Sequence, residues 1–158
     1  MSGGAGSESA PGAGVARTAR ARVRPIAPAD VAAVWELLRG LAEYEKLTQE
    51  VTASEAGLRE TLFGARPAAE VLIGFANNEP AALAVFFHNF STFLGKPGLY
   101  LEDLFVQPEW RGRGFGRAML THLARLAVER GCGRMEWAVL DWNQPAIDFY
   151  LKIGAVPR

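Results

Sequence analysis

The chain has one cysteine, two histidines and no surplus of charge of either sign, and each scarcity removes a class of function. Cys132 has no second cysteine to bond, so no internal disulfide holds the fold, and a reducing, cytoplasmic setting is the expectation. His88 and His122 lie far apart without the Cys or acidic spacing of a zinc site, so no metal is expected. The 17 Lys and Arg balance 17 Asp and Glu, which leaves no overall field to attract a polyanion. Neither nucleic acid nor an anionic membrane surface is therefore an expected partner. The longest apolar runs, such as residues 81–87, fall far short of the roughly 20 residues that cross a bilayer.

What is present is one core's worth of apolar material, 49% of 158 residues. Residues 1–22 are rich in Gly, Ala and Ser and carry no aromatic side chain, so they cannot bury enough surface to offset chain entropy. A disordered tail is expected there, followed by a single domain over 23–158. The tail also lacks the apolar stretch of a secretory signal. Its Arg17, Arg20 and Arg22 outnumber Glu8, which leaves the domain slightly acidic.

The pattern along the domain predicts a short strand at 23–26, then a helix whose apolar face is Val31, Val34, Trp35, Leu38, Leu41 and Ala42. Thr52-Ala53-Ser54-Glu55 reads as a capping box opening a second helix that Gly64 stops. Strands at 70–76 and 81–89 flank the turn cluster Asn77-Asn78-Glu79-Pro80, and a loop at 90–98 leads to a third strand over 99–106. A helix opened by residues 112–116, a strand at 135–139 and a short helix at 146–153 complete the order β α α β β β α β α. Asn143-Gln144-Pro145 offers that last helix a capping side chain and an early proline. A strand, a glycine-rich turn, a helix and a further strand attached to an antiparallel meander make a mixed α/β fold.

The sharpest local signal is Arg111-Gly112-Arg113-Gly114-Phe115-Gly116, between a strand and an amphipathic helix. Glycines let the backbone close around a phosphate, first-turn N–H groups point at it, and Arg111, Arg113 and Arg117 match its charge. No Gly-Lys-Ser/Thr follows, and the glycine spacing is not that of a dinucleotide fold, so neither a nucleoside triphosphate nor a dinucleotide fits. Tyr150 lies within the last helix, where core packing is the ordinary use of a tyrosine. Glu102 and Asp103 are consecutive on an otherwise apolar strand; side chains alternate there, so at least one carboxylate must face a packed region or a cleft. The aromatic group Phe86, Phe87, Phe90 and Phe93 reads as core and substrate wall.

Read as Arg-x-x-Gly-x-Gly, the loop resembles the pyrophosphate-binding loop of the GCN5-related N-acetyltransferases, a likeness that extends over residues 23–155. Leu41-Ala42-Glu43-Tyr44-Glu45-Lys46, Tyr100-Leu101-Glu102-Asp103 and Ala138-Val139-Leu140-Asp141-Trp142-Asn143 are similar to the diamine and thialysine acetyltransferase branch. The resemblance implies the acyl-CoA N-acyltransferase fold, a central, mostly antiparallel sheet flanked by helices, with acetyl-CoA as cosubstrate. It implies cofactor contacts from Leu104, Phe105, Val106, Arg111, Gly112, Arg113, Gly114, Phe115, Gly116, Arg117, Asn143 and Tyr150. Tyr150 becomes the acid for the leaving thiol, whose pKa near 8.5 against about 10 for tyrosine makes the transfer only slightly uphill. Tyr44, Glu45, Glu102 and Asp103 become the walls of a cationic-amine site, with Glu102 also removing a proton through water. Backbone N–H groups of 104–106 are in position to polarise the thioester carbonyl.

The resembled proteins form homodimers and continue past the last helix with a further strand, so a C-terminally short domain with an uncovered sheet flank is also expected. A protein-lysine or N-terminal acetyltransferase and a non-catalytic acyl-CoA sensor are the competing readings. The acidic mouth disfavours the first, and retention of Tyr150 disfavours the second.

Overall fold

The computed structural model describes residues 21–158. The expected tail therefore lies outside the described residues except at its end, where Arg22 already belongs to the first strand. β1 (Arg22–Pro25) pairs antiparallel with β2 (Glu70–Ala76). Between them a 3-10 turn at Pro28–Asp30 leads into α1 (Val31–Tyr44). The Asp30 carboxylate accepts the Ala27 N–H at 2.7 Å and pairs with Arg24 at 2.7 Å, which stabilises the entry to the helix. α1 buries Val31, Val34, Leu37, Leu41 and Ala42, so Leu37 takes the inward position expected of Trp35 and Leu38. α2 (Glu55–Phe63) is capped by Ser54, whose hydroxyl accepts the Gly57 N–H at 3.0 Å; the cap is Ser54 and not Thr52.

β2 and β3 (Glu79–Ser91) form a hairpin through Asn77 and Asn78, both at positive φ (50° and 67°), which asparagine tolerates better than most residues. β3 runs two residues further than expected and β4 (Lys96–Val106) starts three residues earlier, which makes a second, tight hairpin in place of most of the predicted loop. α3 (Phe115–Glu129) crosses back to β5 (Met135–Trp137), which pairs parallel with β4, and α4 (Gln144–Lys152) follows. The sheet order is β1-β2-β3-β4-β5, antiparallel except at its last pair. Among the described residues no strand pairs with the outer edge of β5.

Two apolar clusters place helices on both faces of this sheet. Leu72, Phe86, Leu99 and Leu101 meet Met119 and Leu123 of α3 on one face. Ile73, Leu83 and Phe105 meet Val34, Leu37 and Leu41 of α1 on the other. β2 is buried on both sides and reads as the continuous apolar run Val71-Leu72-Ile73, without alternation.

Candidate active site

β4 and β5 are paired only from Leu99 to Leu101 against Met135 to Trp137. Beyond Trp137 the chain leaves the sheet, two residues earlier than the alternation Met135-Glu136-Trp137-Ala138-Val139 predicts. A cavity of about 690 Å³ occupies the space between the C-terminal half of β4 and residues 138–140. The parting of two parallel strands thus builds the cleft.

A β-bulge shapes one wall. In the β3–β4 register Val85 faces Asp103 while Phe86 faces Leu101, so Glu102 is an extra residue without a partner on β3. Bulges interrupt the alternation of side chains and re-aim them. Glu102 and Asp103 consequently both line the cavity, joined by Glu45 from the end of α1. Burial, with the charges of Glu102 and Glu45 behind it, pushes the Asp103 carboxyl up to about 6, and burial also raises Glu45. Three carboxylates at one end of a cavity form a site short of one positive charge.

The opposite charge lies where α3 begins. Gly112 (φ +72°) and Gly114 (φ +87°) turn the chain in the left-handed region, and a Cβ on either would meet no atom within 4 Å. Both line the cavity. No side chain caps α3 and no acidic residue lies in its first turn, so among the described residues the N–H groups at the start of the helix have no side-chain acceptor. Arg117 stands in that turn, although a cation at the positive end of a helix opposes the macrodipole by about 0.3–1 kcal/mol. The glycine turns, the open N–H groups and Arg117 together suit an anion at this helix end.

Tyr150, on α4, packs against Trp137 with ring centroids 5.0 Å apart and lines the same cavity. Its hydroxyl makes no hydrogen bond to any described residue. Burial, and secondarily the charge of Glu45, push it up to about 12. It is therefore a fully protonated donor at neutral pH, and a weaker acid than the near match to a thiol that the sequence led us to expect. A cross-brace spans the cleft: Arg111 donates from Nε to the Val106 carbonyl at 2.9 Å and lies 4.4 Å over the Tyr44 ring, while the Tyr44 hydroxyl donates to Asn143 Oδ1 at 3.1 Å. The same Asn143 oxygen caps α4 by accepting the Ala146 N–H at 3.4 Å.

Of the candidate residues, the structure brings together Tyr44, Glu45, Glu102, Asp103, Leu104, Phe105, Val106, Arg111, Gly112, Gly114, Phe115, Gly116, Arg117, Asn143 and Tyr150 around the cavity. Arg113 is outside the lining, with its guanidinium 5.0 Å from the Trp110 ring centroid. The aromatic wall is also corrected: Phe86 is core, Phe87 stacks on Tyr100 at 5.2 Å, and Phe90 and Phe93 are exposed at the β3–β4 hairpin. None of the four lines the cavity: Phe86 packs in the core on the α3 face, and the hairpin carries Phe90 and Phe93 away from the strand divergence. Sequence reasoning missed Leu41, Trp110, Pro145, Ala146 and Phe149, which complete the lining together with Ala138, Val139 and Leu140. Trp110 and Phe149 each adjoin a motif residue, and that adjacency was the available signal. Among the described residues no group of three His, Cys, Asp or Glu side chains suited to a metal ion occurs, and no helix is long and apolar enough to cross a membrane.

Comparison with known proteins agrees with this geometry. The family model described as acetyltransferase (GNAT) family matches residues 32–155. A thialysine N-epsilon-acetyltransferase from Bos taurus is 38% identical, over 84% of this chain and 82% of its own length. An L-ornithine N5-acetyltransferase from Arabidopsis thaliana is 32% identical, over 85% of this chain and 78% of its own. Among solved structures, an aminoglycoside acetyltransferase from an uncultured soil metagenomic sample superimposes with a TM-score of 0.76 at 17% identity, over 87% of this chain and 90% of its own, a likeness of fold.

Proposed function

This chain belongs to the acetyltransferase (GNAT) family, and we propose that it moves the acetyl group of acetyl-CoA to a primary amine of a small polyamine, a thialysine-like amino acid or a related small amine. The observation that carries this reading is the pairing, in one cavity, of an uncapped, cation-flanked helix start with a cluster of three carboxylates. One end suits the diphosphate, the other an ammonium group. The names of the relatives, which act on thialysine and on ornithine, support a small amine.

Bound acetyl-CoA supplies an activated acetyl group and a thiol leaving group. Gly112, Gly114 and the first-turn N–H groups of α3 hold its diphosphate, with Arg117 adding charge. Leu104, Phe105 and Val106 lie where β4 has lost its β5 partner, which supports a role for their backbone in polarising the thioester carbonyl. The amine binds as a cation between Glu45, Glu102 and Asp103. It must then shed a proton, at about 4.6 kcal/mol at pH 7 for a pKa near 10.4. Glu102 accepts that proton through water, against the pull of its neighbours, which favour the charged amine. Tyr150 donates a hydrogen bond to the leaving sulfur. Full proton transfer from a group at about 12 to a thiolate near 8.5 is uphill by about 5 kcal/mol, so the phenol stabilises developing charge and releases its proton late. Arg111, Asn143 and Phe115 shape the cofactor side, Arg113 contributes charge at a distance, and Tyr44 walls the amine side.

The reading includes a cytoplasmic homodimer without nucleic-acid or membrane partners. A lone cysteine supports the reducing setting, and exposed Val139, Leu140 and Trp142 beside the outer edge of β5 support self-association. The test is purified protein, acetyl-CoA and a panel of diamines, thialysine, ornithine and lysine peptides, with free thiol followed over time. Thiol release with the small amines is expected. Release with peptides alone would reassign the enzyme to proteins, and CoA binding without release would make it a sensor.

A further inference from the structure

We propose that a second basic groove, on the β1 flank of α3, is the subsite for the 3′-phosphate at the nucleotide end of CoA; this rests on the acetyl-CoA reading above. The groove, of about 450 Å³, lies between Val23 of β1 and Arg117, Thr121, His122 and Arg125 of α3. It shares Gly114 and Arg117 with the main cavity, so the two run into each other around the first turn of the helix. Among the described residues no acidic side chain lines it. Neither Arg117 nor Arg125 makes an ion pair with a described residue, whereas Arg24, Arg39, Arg130 and Arg134 all do.

Arg117, Thr121 and Arg125 recur every four residues and so follow one stripe of the helix. Helical side chains lean toward the N-terminus, which brings the Arg125 guanidinium back toward Thr121 and the diphosphate end of the groove. The 3′-phosphate of CoA sits one ribose beyond the diphosphate, a separation of the order of one to two helical turns. A diphosphate held at the first turn of α3 thus sets a phosphate dianion beside an arginine, where charge-assisted, bidentate hydrogen bonds are strong. The Thr121 hydroxyl donates at 2.8 Å to the Arg117 carbonyl, which commits its proton and leaves the recognition to the two guanidinium groups. The competing route runs over α4, whose last turn carries Lys152.

Calorimetry with CoA and with dephospho-CoA, which lacks only the 3′-phosphate, separates the possibilities at low ionic strength. The parent protein is expected to prefer CoA roughly tenfold or more. In Arg125→Ala that ratio should shrink to within about twofold, with dephospho-CoA affinity unchanged, and in Arg125→Lys it should be partly restored. Free phosphate, which can also occupy the diphosphate site, should compete more strongly with CoA than with dephospho-CoA. A parent that binds both ligands equally, an unchanged ratio in Arg125→Ala, or a ratio that collapses in Lys152→Ala instead would overturn the assignment. A parent that binds neither ligand would refute the acetyl-CoA reading itself, which is a different result.

Discussion

Burial and the Glu45 charge make Tyr150 a poor acid in the resting protein but a permanent donor, and its hydroxyl has no hydrogen-bond partner among the described residues. Tyr150→Phe should therefore lower kcat roughly 100-fold while leaving CoA affinity and thermal stability unchanged, because the packing on Trp137 survives and no partner is stranded. Steady-state kinetics and a melting curve read both effects; a turnover within about twofold of the parent returns the residue to core packing. Asp103 presents the opposite balance. Its folded-state value of about 6 lies above the unfolded 3.8, so the folded state binds the proton more tightly and stability falls as pH rises between those values. The ionised form costs at most about 3 kcal/mol, less where water reaches it. Asp103→Asn should thus raise the melting temperature at pH 7 and above, with little change at pH 4, while raising KM for dicationic amines. In the parent, KM for such amines should climb as pH drops through about 6. A melting temperature unmoved at neutral pH would mean that the carboxylate is better solvated than its position implies.

The element that matters most is the start of α3, where conformation and ligand contact can be tested apart. Gly114→Ala adds a Cβ at φ +87° in the space proposed for the diphosphate, and Gly95→Ala adds one at φ +63° in the β3–β4 hairpin, also with nothing within 4 Å. Both should lose about 1–2 kcal/mol of stability from the left-handed backbone. Only Gly114→Ala should weaken CoA binding, by about 100-fold, as measured by calorimetry. Equal affinities in the two variants would remove the loop from the binding site. The brace between α1 and α4 offers a second test. Tyr44→Phe keeps the ring beneath Arg111 but removes the hydrogen bond to Asn143, and denaturant unfolding should show a loss of about 1 kcal/mol. Tyr44→Leu, which also removes the cation–π contact, should lose more.

At the scale of the whole molecule, the two edges of the sheet differ among the described residues. β1 is short and carries Arg22, Arg24 and a proline, devices that discourage further pairing. β5 has no such protection, and Val139, Leu140, Trp142, Leu151 and Val156 are exposed in the segments around it. Sedimentation velocity over a range of concentrations should show a shift from monomer to dimer, and Leu151→Glu should weaken it. A single monomeric species at all concentrations, unchanged by Leu151→Glu, would exclude self-association by this edge.

The sequence by itself determined the order of elements, the glycine-rich turn and the Asn143 cap, and its family resemblance named most of the residues around the cavity. These are local matters: left-handed turns need glycine, caps need a short polar side chain, and apolar periods of two and 3.6 betray strand and helix. The tertiary structure decided the rest. Alternation alone puts Glu102 and Asp103 on opposite faces, and only the bulge opposite Val85 and Phe86 turns both toward one cleft. Residues 138–139 continue a strand pattern, yet the chain leaves the sheet at Trp137 and opens the cavity. Phe90 and Phe93 read as core because their neighbours do, but the length of the hairpin carries them into solvent. The acidity of Tyr150 and Asp103 is set by how much water and charge surround them, which depends on Glu45 arriving from a helix more than 50 residues away in sequence. Pairing register, strand divergence and dielectric environment arise from contacts distant in the chain, and no local pattern encodes them.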